Sequence, residues 1–312
     1  MKILNDLNLV NWYFKYIGIP LTVGVATYAI LSQISLRRKR AYLNGKVVVI
    51  TGASSGIGEA LAHAFYQEGS KVVLAARRKS ELERVKRDLQ AKKLEKPSQE
   101  PIVLELDLAN LDQLENFVSN VYKICGNVDI LINNGGVSHR GSILHSKMEV
   151  FKNIMYINYF GSVGLTKAVL PRMIERKSGH IVFISSVQGL IAIPDRAAYA
   201  ASKHAMQAFG DSLRAEMKQH NINVTMISPG YIKTAISLNA FNESGSNHGV
   251  MDKSTAEGFS AEYAAQQMLD SVVKKDNEFV ISQLLPKFAI FLRHFVPNVY
   301  FWLMSKRAVK TN

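Results

Sequence analysis

The sequence contains little cysteine and has a deficit of acidic residues. Cys125 is the single cysteine of the 312 residues, which excludes an intrachain disulfide and a cysteine-based zinc site. The 25 acidic residues are outnumbered by 38 lysines and arginines, and the formal net charge is +13. No group of histidines and carboxylates has the spacing of metal ligands, so no metal site is expected. A hydrophobic content of 47 % excludes a disordered chain.

The excess of positive charge is concentrated at the two ends of the chain. Residues 1–45 contain six basic residues and one acidic residue, and residues 268–312 contain seven basic and three acidic ones. No basic stripe with interleaved aromatic residues runs through 46–267, so we expect no nucleic-acid partner. Because the most apolar stretches also lie at the ends, the charge indicates contact with a membrane.

An uncharged apolar segment covers residues 16–34 and is followed by the basic cluster RRKR at 37–40. As a helix of about 1.5 Å per residue it spans roughly 29 Å, close to the thickness of the hydrocarbon core of a bilayer. The alternatives are a buried helix of a soluble domain and a cleaved signal peptide, in which basic residues precede the apolar stretch. We predict an uncleaved anchor at 1–36 and a basic linker at 37–45, with the following residues on the cytosolic side.

A second apolar stretch, residues 279–304, contains two prolines together with Lys287 and Arg293. These interruptions disfavour a second membrane span. Two interpretations remain open: an amphipathic segment that lies at the membrane interface, and an element that packs in a substrate pocket or a dimer. The predicted organisation is therefore a catalytic domain at 46–278 and an apolar, basic C-terminal extension at 279–312.

Between the ends, short apolar runs alternate with amphipathic segments. The runs are rich in β-branched residues, which is typical of buried parallel strands, and the segments between them have helical spacing. Strands are predicted at 46–52, 71–77, 102–108, 128–134, 180–186 and 222–230, and helices at 57–68, 80–90, 111–124, 149–175 and 197–217. This alternation predicts an α/β fold with a doubly wound, Rossmann-like parallel sheet and helices on both faces.

The first predicted strand runs directly into a glycine-rich turn, TGASSGIG at 51–58. Glycines allow the backbone to approach a pyrophosphate, and the start of the following helix offers free N–H groups. The spacing of Gly52, Gly56 and Gly58 differs from the dinucleotide fingerprint G-x-G-x-x-G. The prediction of a nucleotide site therefore depends on the order of strand, turn and helix.

The second predicted strand ends in Arg77 and Arg78, where many dinucleotide-binding folds have an acidic residue that binds the ribose. Two guanidinium groups pair well with a 2′-phosphate, so NADP(H) is favoured over NAD(H), and a solvated helix start is the alternative. Asp107, at the end of the third strand, can accept a hydrogen bond from adenine. The strand end NNGG, at 133–136, would pass beneath the nicotinamide ribose.

Tyr199 and Lys203 are four residues apart, so on a helix they occupy one face. An ammonium group beside a phenol stabilises the phenolate and lowers its pKa, which suits a tyrosine to acid–base chemistry near neutral pH. The pair alone is common by chance, and a surface pair is the alternative. Its combination with the glycine-rich turn, with NNGG and with Ser186 at the end of a strand is specific.

These motifs together resemble those of the short-chain dehydrogenase/reductase family, over residues 46–235. The turn matches T-G-x-x-x-G-x-G, whereas Gly135 replaces the alanine of the family's N-N-A-G. The resemblance implies that Ser186 and Tyr199 bind the substrate oxygen. It implies a catalytic set of Asn158, Ser186, Tyr199 and Lys203. It also implies that NADP(H) contacts Thr51, Gly52, Ser54, Ser55, Gly56, Ile57, Gly58, Arg77, Arg78, Asp107, Leu108, Asn134, Tyr199, Lys203, Pro229, Gly230, Ile232 and Thr234.

The resemblance to this family also implies a distinct role for each catalytic residue. Tyr199 donates a proton to the substrate oxygen, and Lys203 lowers the pKa of the tyrosine and binds the ribose of the cofactor. Asn158 holds a water molecule that connects Lys203 to solvent. We further expect a polar lid over the pocket at 236–259. The long helices 149–175 and 197–217 could form the two-fold contact of a homodimer, as in many relatives, and the sequence leaves the oligomeric state open.

Within the family the chain is similar to the dehydrogenase/reductase family member 7B group, through GHIVFISSVQG, YAASKHAMQAF and ISPGYIKT. That resemblance implies a single-pass protein of the endoplasmic reticulum membrane, or of peroxisomes. It implies reversible hydride transfer between NADP(H) and a lipid-like substrate such as a steroid, a retinoid or acyl-dihydroxyacetone phosphate. A membrane-tethered NADP(H)-binding sensor or scaffold with little turnover is the alternative function.

Overall fold

The first of two compact units contains one long apolar helix. The computed structural model describes residues 12–92 and 99–311, and the chain divides into Met1–Tyr42 and Leu43–Asn312. A π-helical turn, Phe14–Gly18, continues into helix α1, Ile19–Arg40. The segment Phe14–Leu43 has a mean hydropathy of 1.6 in its most apolar window, none of which is buried. This helix is long and apolar enough to cross a membrane, features that it shares with a signal sequence.

The second unit is built on a seven-stranded parallel sheet. Its seven strands are β1 (Val47–Thr51), β2 (Lys71–Ala76), β3 (Ile102–Glu105), β4 (Ile130–Asn133), β5 (Gly179–Ile184), β6 (Ile222–Pro229) and β9 (Glu278–Ile281), and a separate short parallel pair is formed by β7 (Ile232–Lys233) and β8 (Phe259–Ser260). Apart from the short pair, they follow the spatial order β3-β2-β1-β4-β5-β6-β9. The order reverses at β1, and ligands of doubly wound sheets bind beside the carboxyl ends of the strands at that position.

Helices cover both faces of this sheet. The α-helices described in this unit are α2 (Gly56–Gln67), α3 (Lys79–Gln90), α4 (Leu114–Cys125), α5 (Met148–Met155), α6 (Gly161–Glu175), α7 (Ala197–Met217), α8 (Lys253–Ala256), α9 (Ala261–Lys274), α10 (Leu284–Phe295) and α11 (Pro297–Thr311). Because successive residues of a strand face opposite sides, Val48 and Ile50 pack with α2, α3 and α9, whereas Val47 and Val49 pack with α4, α6 and α7. The two apolar layers confirm the predicted α/β fold.

Strand β9 was not predicted, and it lies across the expected boundary between residues 278 and 279. It pairs in parallel with β6, from Met226 opposite Glu278 to Pro229 opposite Ile281. The strand is short and has a neighbour on one side only, so its residues do not form the continuous apolar run that marks the inner strands. The C-terminal extension therefore begins inside the sheet rather than after it.

Candidate active site

The carboxyl ends of the central strands surround a cavity of about 550 Å³. The cavity lies where the strand order reverses, which is where doubly wound sheets bind nucleotides. Gly58 and Asn158 are the two predicted site residues that do not line it. Those that line it are Thr51, Gly52, Ser54, Ser55, Gly56, Ile57, Arg77, Arg78, Asp107, Leu108, Asn134, Ser186, Tyr199, Lys203, Pro229, Gly230, Ile232 and Thr234.

The glycine-rich turn between β1 and α2 is shaped by close backbone approaches. Gly52 and Gly56 have φ angles of +65° and +58°, which side chains rarely tolerate. A Cβ atom added to Gly58 would lie 2.2 Å from the carbonyl oxygen of Gly52. The Thr51 hydroxyl fixes the neighbouring strand end, because it accepts hydrogen bonds from the backbone of Asn134 at 3.0 Å and from the next N–H at 2.9 Å. The turn thus presents bare backbone and the free N–H groups of α2, which fits a pyrophosphate.

Two arginines follow β2 at the edge of this turn. Both side chains are exposed and line the cavity. The guanidinium group of Arg78 donates hydrogen bonds to Ser54 Oγ at 3.1 Å and to Ser55 Oγ at 3.2 Å. The carboxylate of Asp107 accepts a hydrogen bond from the backbone N–H of Ala109 at 3.0 Å, which orients it at the end of β3. The arginines therefore form a cationic edge beside the glycine-rich turn.

Three predicted catalytic side chains lie together at the other end of the cavity. Ser186, Tyr199 and Lys203 are all buried. Lys203 lies one turn after Tyr199 on α7, with Nζ 5.8 Å from the centre of the tyrosine ring, and it donates a hydrogen bond to the Ile184 carbonyl at 2.8 Å. The Ser186 hydroxyl accepts a hydrogen bond from the backbone N–H of Gln188 at 3.1 Å.

Asn158 lies in a π-helical turn, Tyr156–Phe160, between α5 and α6. Its side-chain oxygen accepts a hydrogen bond from the Val137 N–H at 2.8 Å, and its amide nitrogen donates to the Val137 carbonyl and the Ser202 hydroxyl, both at 2.9 Å. The Ser202 hydroxyl in turn donates to the Tyr199 carbonyl at 2.8 Å. Asn158 thus connects the loop after β4 to the backbone of the catalytic helix. Both N–H groups of its amide are used by the protein, so a water bound by Asn158 remains a prediction.

Comparison with known proteins now assigns the family. A family model for short chain dehydrogenases matches residues 46–244, which is more than half of the chain. The chain is a member of the short-chain dehydrogenase/reductase family. It is 51 % identical over 306 residues to a Drosophila melanogaster dehydrogenase/reductase SDR family protein 7-like, covering 98 % of this chain and 94 % of that protein. It is 46 % identical over 294 residues to the Rattus norvegicus dehydrogenase/reductase SDR family member 7B, and the match covers 94 % of this chain and 90 % of that protein. The predicted family and group are confirmed.

Solved structures of other short-chain dehydrogenases share the fold of this one. A Burkholderia phymatum short chain dehydrogenase/reductase in complex with NAD has a TM-score of 0.73 at 24 % identity, covering 82 % of this chain and 95 % of that one. A Thermococcus sibiricus alcohol dehydrogenase complexed with 5-hydroxy-NADP has a TM-score of 0.65 at 24 % identity, and the match covers 77 % of this chain and 97 % of that one. At this identity the likeness supports the fold, which binds a nicotinamide cofactor in the short-chain dehydrogenases.

Burial opposes ionisation of Tyr199 and Lys203, two of the predicted catalytic residues. Burial raises the pKa of the Tyr199 phenol, and a hydrogen bond with Ser186 and the positive charge of Arg140 oppose that rise. Burial also lowers the pKa of Lys203 to about 8. The pKa of Tyr199 therefore shifts in the direction opposite to the predicted one, because desolvation of the phenolate outweighs the hydrogen bond with Ser186 and the charge of Arg140.

A second cavity, of about 340 Å³, adjoins the first and shares Ser186 and Tyr199 with it. Motif spacing did not single out Arg140, although this residue follows the NNGG strand end by a few positions and lines the second cavity. Its guanidinium group forms an ion pair with Asp252, which Arg196 also contacts at 3.3 Å. The aliphatic and phenylalanine side chains of the lining are Val187, Ile191, Ile193, Ile232, Ile236, Leu285, Pro286, Phe288, Ala289, Leu292, Leu303 and Met304.

The predicted lid at 236–259 is fastened to the loop that follows β4. The Arg140 N–H donates to the Phe241 carbonyl at 2.8 Å, and the Phe241 N–H donates to the Ser138 carbonyl at 2.9 Å. The Glu243 carboxylate accepts hydrogen bonds from the backbone and the hydroxyl of Ser142, at 2.8 and 2.9 Å. Phe241 lines the first cavity, so this segment is a wall of the site that side-chain and backbone bonds hold in place.

Proposed function

We propose that this dehydrogenase catalyses reversible hydride transfer between NADP(H) and the carbonyl or hydroxyl group of a lipid-like substrate. The observation that carries the proposal is that Ser186 and Tyr199 line both cavities. Their hydroxyl groups therefore lie between the first cavity, which the glycine-rich turn lines, and the mainly apolar second cavity. Consumption of NADPH by the full chain, screened against steroid, retinoid and acyl-ketone panels, tests it. Binding of NADPH without turnover of any panel member would support the sensor or scaffold instead.

The protein side of the reaction follows from the positions of four residues. When bound, NADP(H) supplies or accepts a hydride at C4 of its nicotinamide. In the reducing direction Tyr199 donates its proton to the substrate oxygen, and Ser186 donates a hydrogen bond to the same oxygen. Lys203 stabilises the resulting phenolate and binds the ribose, and solvent returns the proton by way of water near Asn158. In the oxidising direction Tyr199 takes the proton from the substrate hydroxyl.

The substrate class is supported by the lining of the second cavity. Its apolar side chains come mainly from α10, α11 and the segment after β5, and they suit a hydrocarbon body. Arg140 and Arg307 are the charged side chains of this lining, and Arg140 is paired with Asp252. This combination favours a substrate with an apolar body and a polar reacting end, as in steroids, retinoids and acyl-dihydroxyacetone phosphate.

The preference for NADP(H) is supported by the cationic edge of Arg77 and Arg78. Replacing both by Ala should weaken NADPH binding by about 10–100-fold, because hydrogen bonds to charged groups contribute about 1.5–3 kcal/mol. NADH binding should change little. Arg87→Ala is the matched control, since that arginine lies on α3, is exposed and does not line the cavity. Equal losses for the two cofactors, measured by calorimetry, would exclude recognition of the 2′-phosphate.

The membrane location is a proposal supported by the apolar segment Phe14–Leu43 and by the basic residues at its end. We propose an uncleaved anchor in the endoplasmic reticulum membrane, or in peroxisomes, with the catalytic unit on the cytosolic side. In sealed microsomes, protease added from outside should degrade the catalytic unit without detergent. Protection of that unit until detergent is added would reverse the orientation.

A further inference from the structure

Helix α10 carries an exposed apolar stripe. Leu284, Phe288, Phe291 and Phe295 follow one another at intervals of four, three and four residues, so they share one helix face. Their exposed fractions are 85, 55, 50 and 73 %. The rings contact one another along the stripe, with centroids 6.3 Å apart for the first pair of phenylalanines and 4.8 Å for the second. A contiguous apolar surface of this kind marks an interaction site.

Charge identifies the kind of surface that this stripe fits. Residues 279–312 contain five basic residues and no acidic residue. Lys287 on α10 and Lys306 on α11 are exposed, as is Trp302. Aromatic side chains with flanking lysines and arginines are typical of helices that lie at the interface of an anionic bilayer.

A second copy of the chain fits this surface less well. In a two-fold dimer the same patch is used by both subunits, so the basic residues of one copy would approach those of the other. No acidic residue of 279–312 could compensate that repulsion. An anionic lipid surface removes this repulsion, because lysines and arginines near such a surface are attracted to it.

We propose that α10 and α11 dock on the surface of an anionic lipid bilayer, with the stripe of α10 inserted among the headgroups. Two residues connect this docking to the site, because Leu285 and Phe288 are exposed and also line the second cavity. The mouth of that cavity therefore lies beside the docked helix. An apolar substrate dissolved in the bilayer reaches it without crossing water.

The test uses the full chain and reads lipid contact directly. Trp12 and Trp302 are the two tryptophans, so Trp12→Phe leaves Trp302 as the single reporter. The variant is reconstituted into phosphatidylcholine–phosphatidylserine vesicles with brominated or unbrominated acyl chains. We expect brominated lipid to quench the Trp302 emission by about half or more, because an interfacial helix lies about 5–10 Å deep, at the start of the acyl chains.

Substitutions in the stripe separate docking from other sources of quenching. Phe291→Glu with Phe295→Glu should restore most of the emission, and neither residue lines a cavity described above. Ile143→Glu with Leu144→Glu is the matched control, since these residues are exposed and apolar but lie outside the C-terminal helices. That control should remain quenched, and all variants should retain the same far-ultraviolet circular dichroism.

Three results would overturn the docking proposal. The first is Trp302 emission that brominated lipid does not change. The second is quenching that persists in the Phe291→Glu, Phe295→Glu variant. The third is Trp302 emission that changes with protein concentration in a protein that also cross-links as a dimer, which would indicate a second copy as the occupant. The readout needs neither cofactor nor turnover, so failure of the docking proposal is distinguishable from failure of the proposed reaction.

Reversing two of the basic charges tests the role of charge in docking. Lys287→Glu with Lys306→Glu should reduce the quenching of Trp302 at low salt, and unchanged quenching would exclude that role.

Discussion

Replacing Tyr199 by Phe should lower turnover by about 10²–10⁴-fold, the usual contribution of a positioned general acid or base. The substitution removes one hydroxyl group and keeps the buried ring that fills the end of the cavity. NADPH binding should therefore remain close to that of the wild type. Steady-state NADPH consumption and calorimetric titration measure the two effects separately.

The matched control for this substitution is Tyr66→Phe. Tyr66 is also a buried tyrosine, but it packs in the apolar layer around α2 and lines neither cavity. It should retain wild-type turnover. A Tyr199→Phe enzyme with wild-type turnover on a validated substrate would show that another group moves the proton.

Replacing Gly58 by Ala should weaken NADPH binding by about 100-fold and also destabilise the fold by about 1–3 kcal/mol. The added Cβ would lie 2.2 Å from the Gly52 carbonyl oxygen and 2.6 Å from the Asn134 amide nitrogen. The nearest of these atoms belongs to the backbone, so the turn must open. Opening displaces the N–H groups at the start of α2 from the pyrophosphate.

Calorimetry with NADPH and thermal unfolding of the ligand-free protein separate these two effects. Gly24→Ala is the control, because nothing lies within 4 Å of a Cβ added there. It should leave both measurements unchanged. A folded Gly58→Ala protein that binds NADPH as tightly as the wild type would exclude this turn as the binding site of the pyrophosphate.

The five inner strands, β1, β2, β4, β5 and β6, could be predicted because each is a mainly apolar run whose residues are mostly buried. The edge strand β3 was predicted from its apolar run as well, although its residues are only half-buried or exposed. Strand β9 and the pair β7–β8 could not be predicted, because a short strand beside few neighbours needs no such run. The predicted strand 102–108 was too long for a related reason. The apolar residues Leu106 and Leu108 are buried by the site and by α4 after the strand itself has ended.

That Ser186, Tyr199 and Lys203 lie at one cavity could be predicted, because Ser186 follows a strand end and the other two share one helix face. Arg140 could not, since its ionic partner Asp252 is far along the chain in a segment without periodicity. The π-helical turn that holds Asn158 was also hidden, because the apolar spacing of 149–175 reads as one continuous helix. The pKa of Tyr199 depends on burial, and burial arises from the packing of distant segments.

We propose that hydride passes between NADP(H) and a substrate in the second cavity, and that Tyr199 gives the proton to the substrate oxygen. The most direct measurement is the transfer of deuterium from C4-deuterated NADPH to the product, followed by mass spectrometry with the full-length protein and its Tyr199→Phe variant. We expect deuterium on the carbinol carbon with the wild type and a loss of about 10²–10⁴-fold in rate with the variant. Bound NADPH with no deuterated product across steroid, retinoid and acyl-ketone panels, or equal rates for the two proteins, would contradict it.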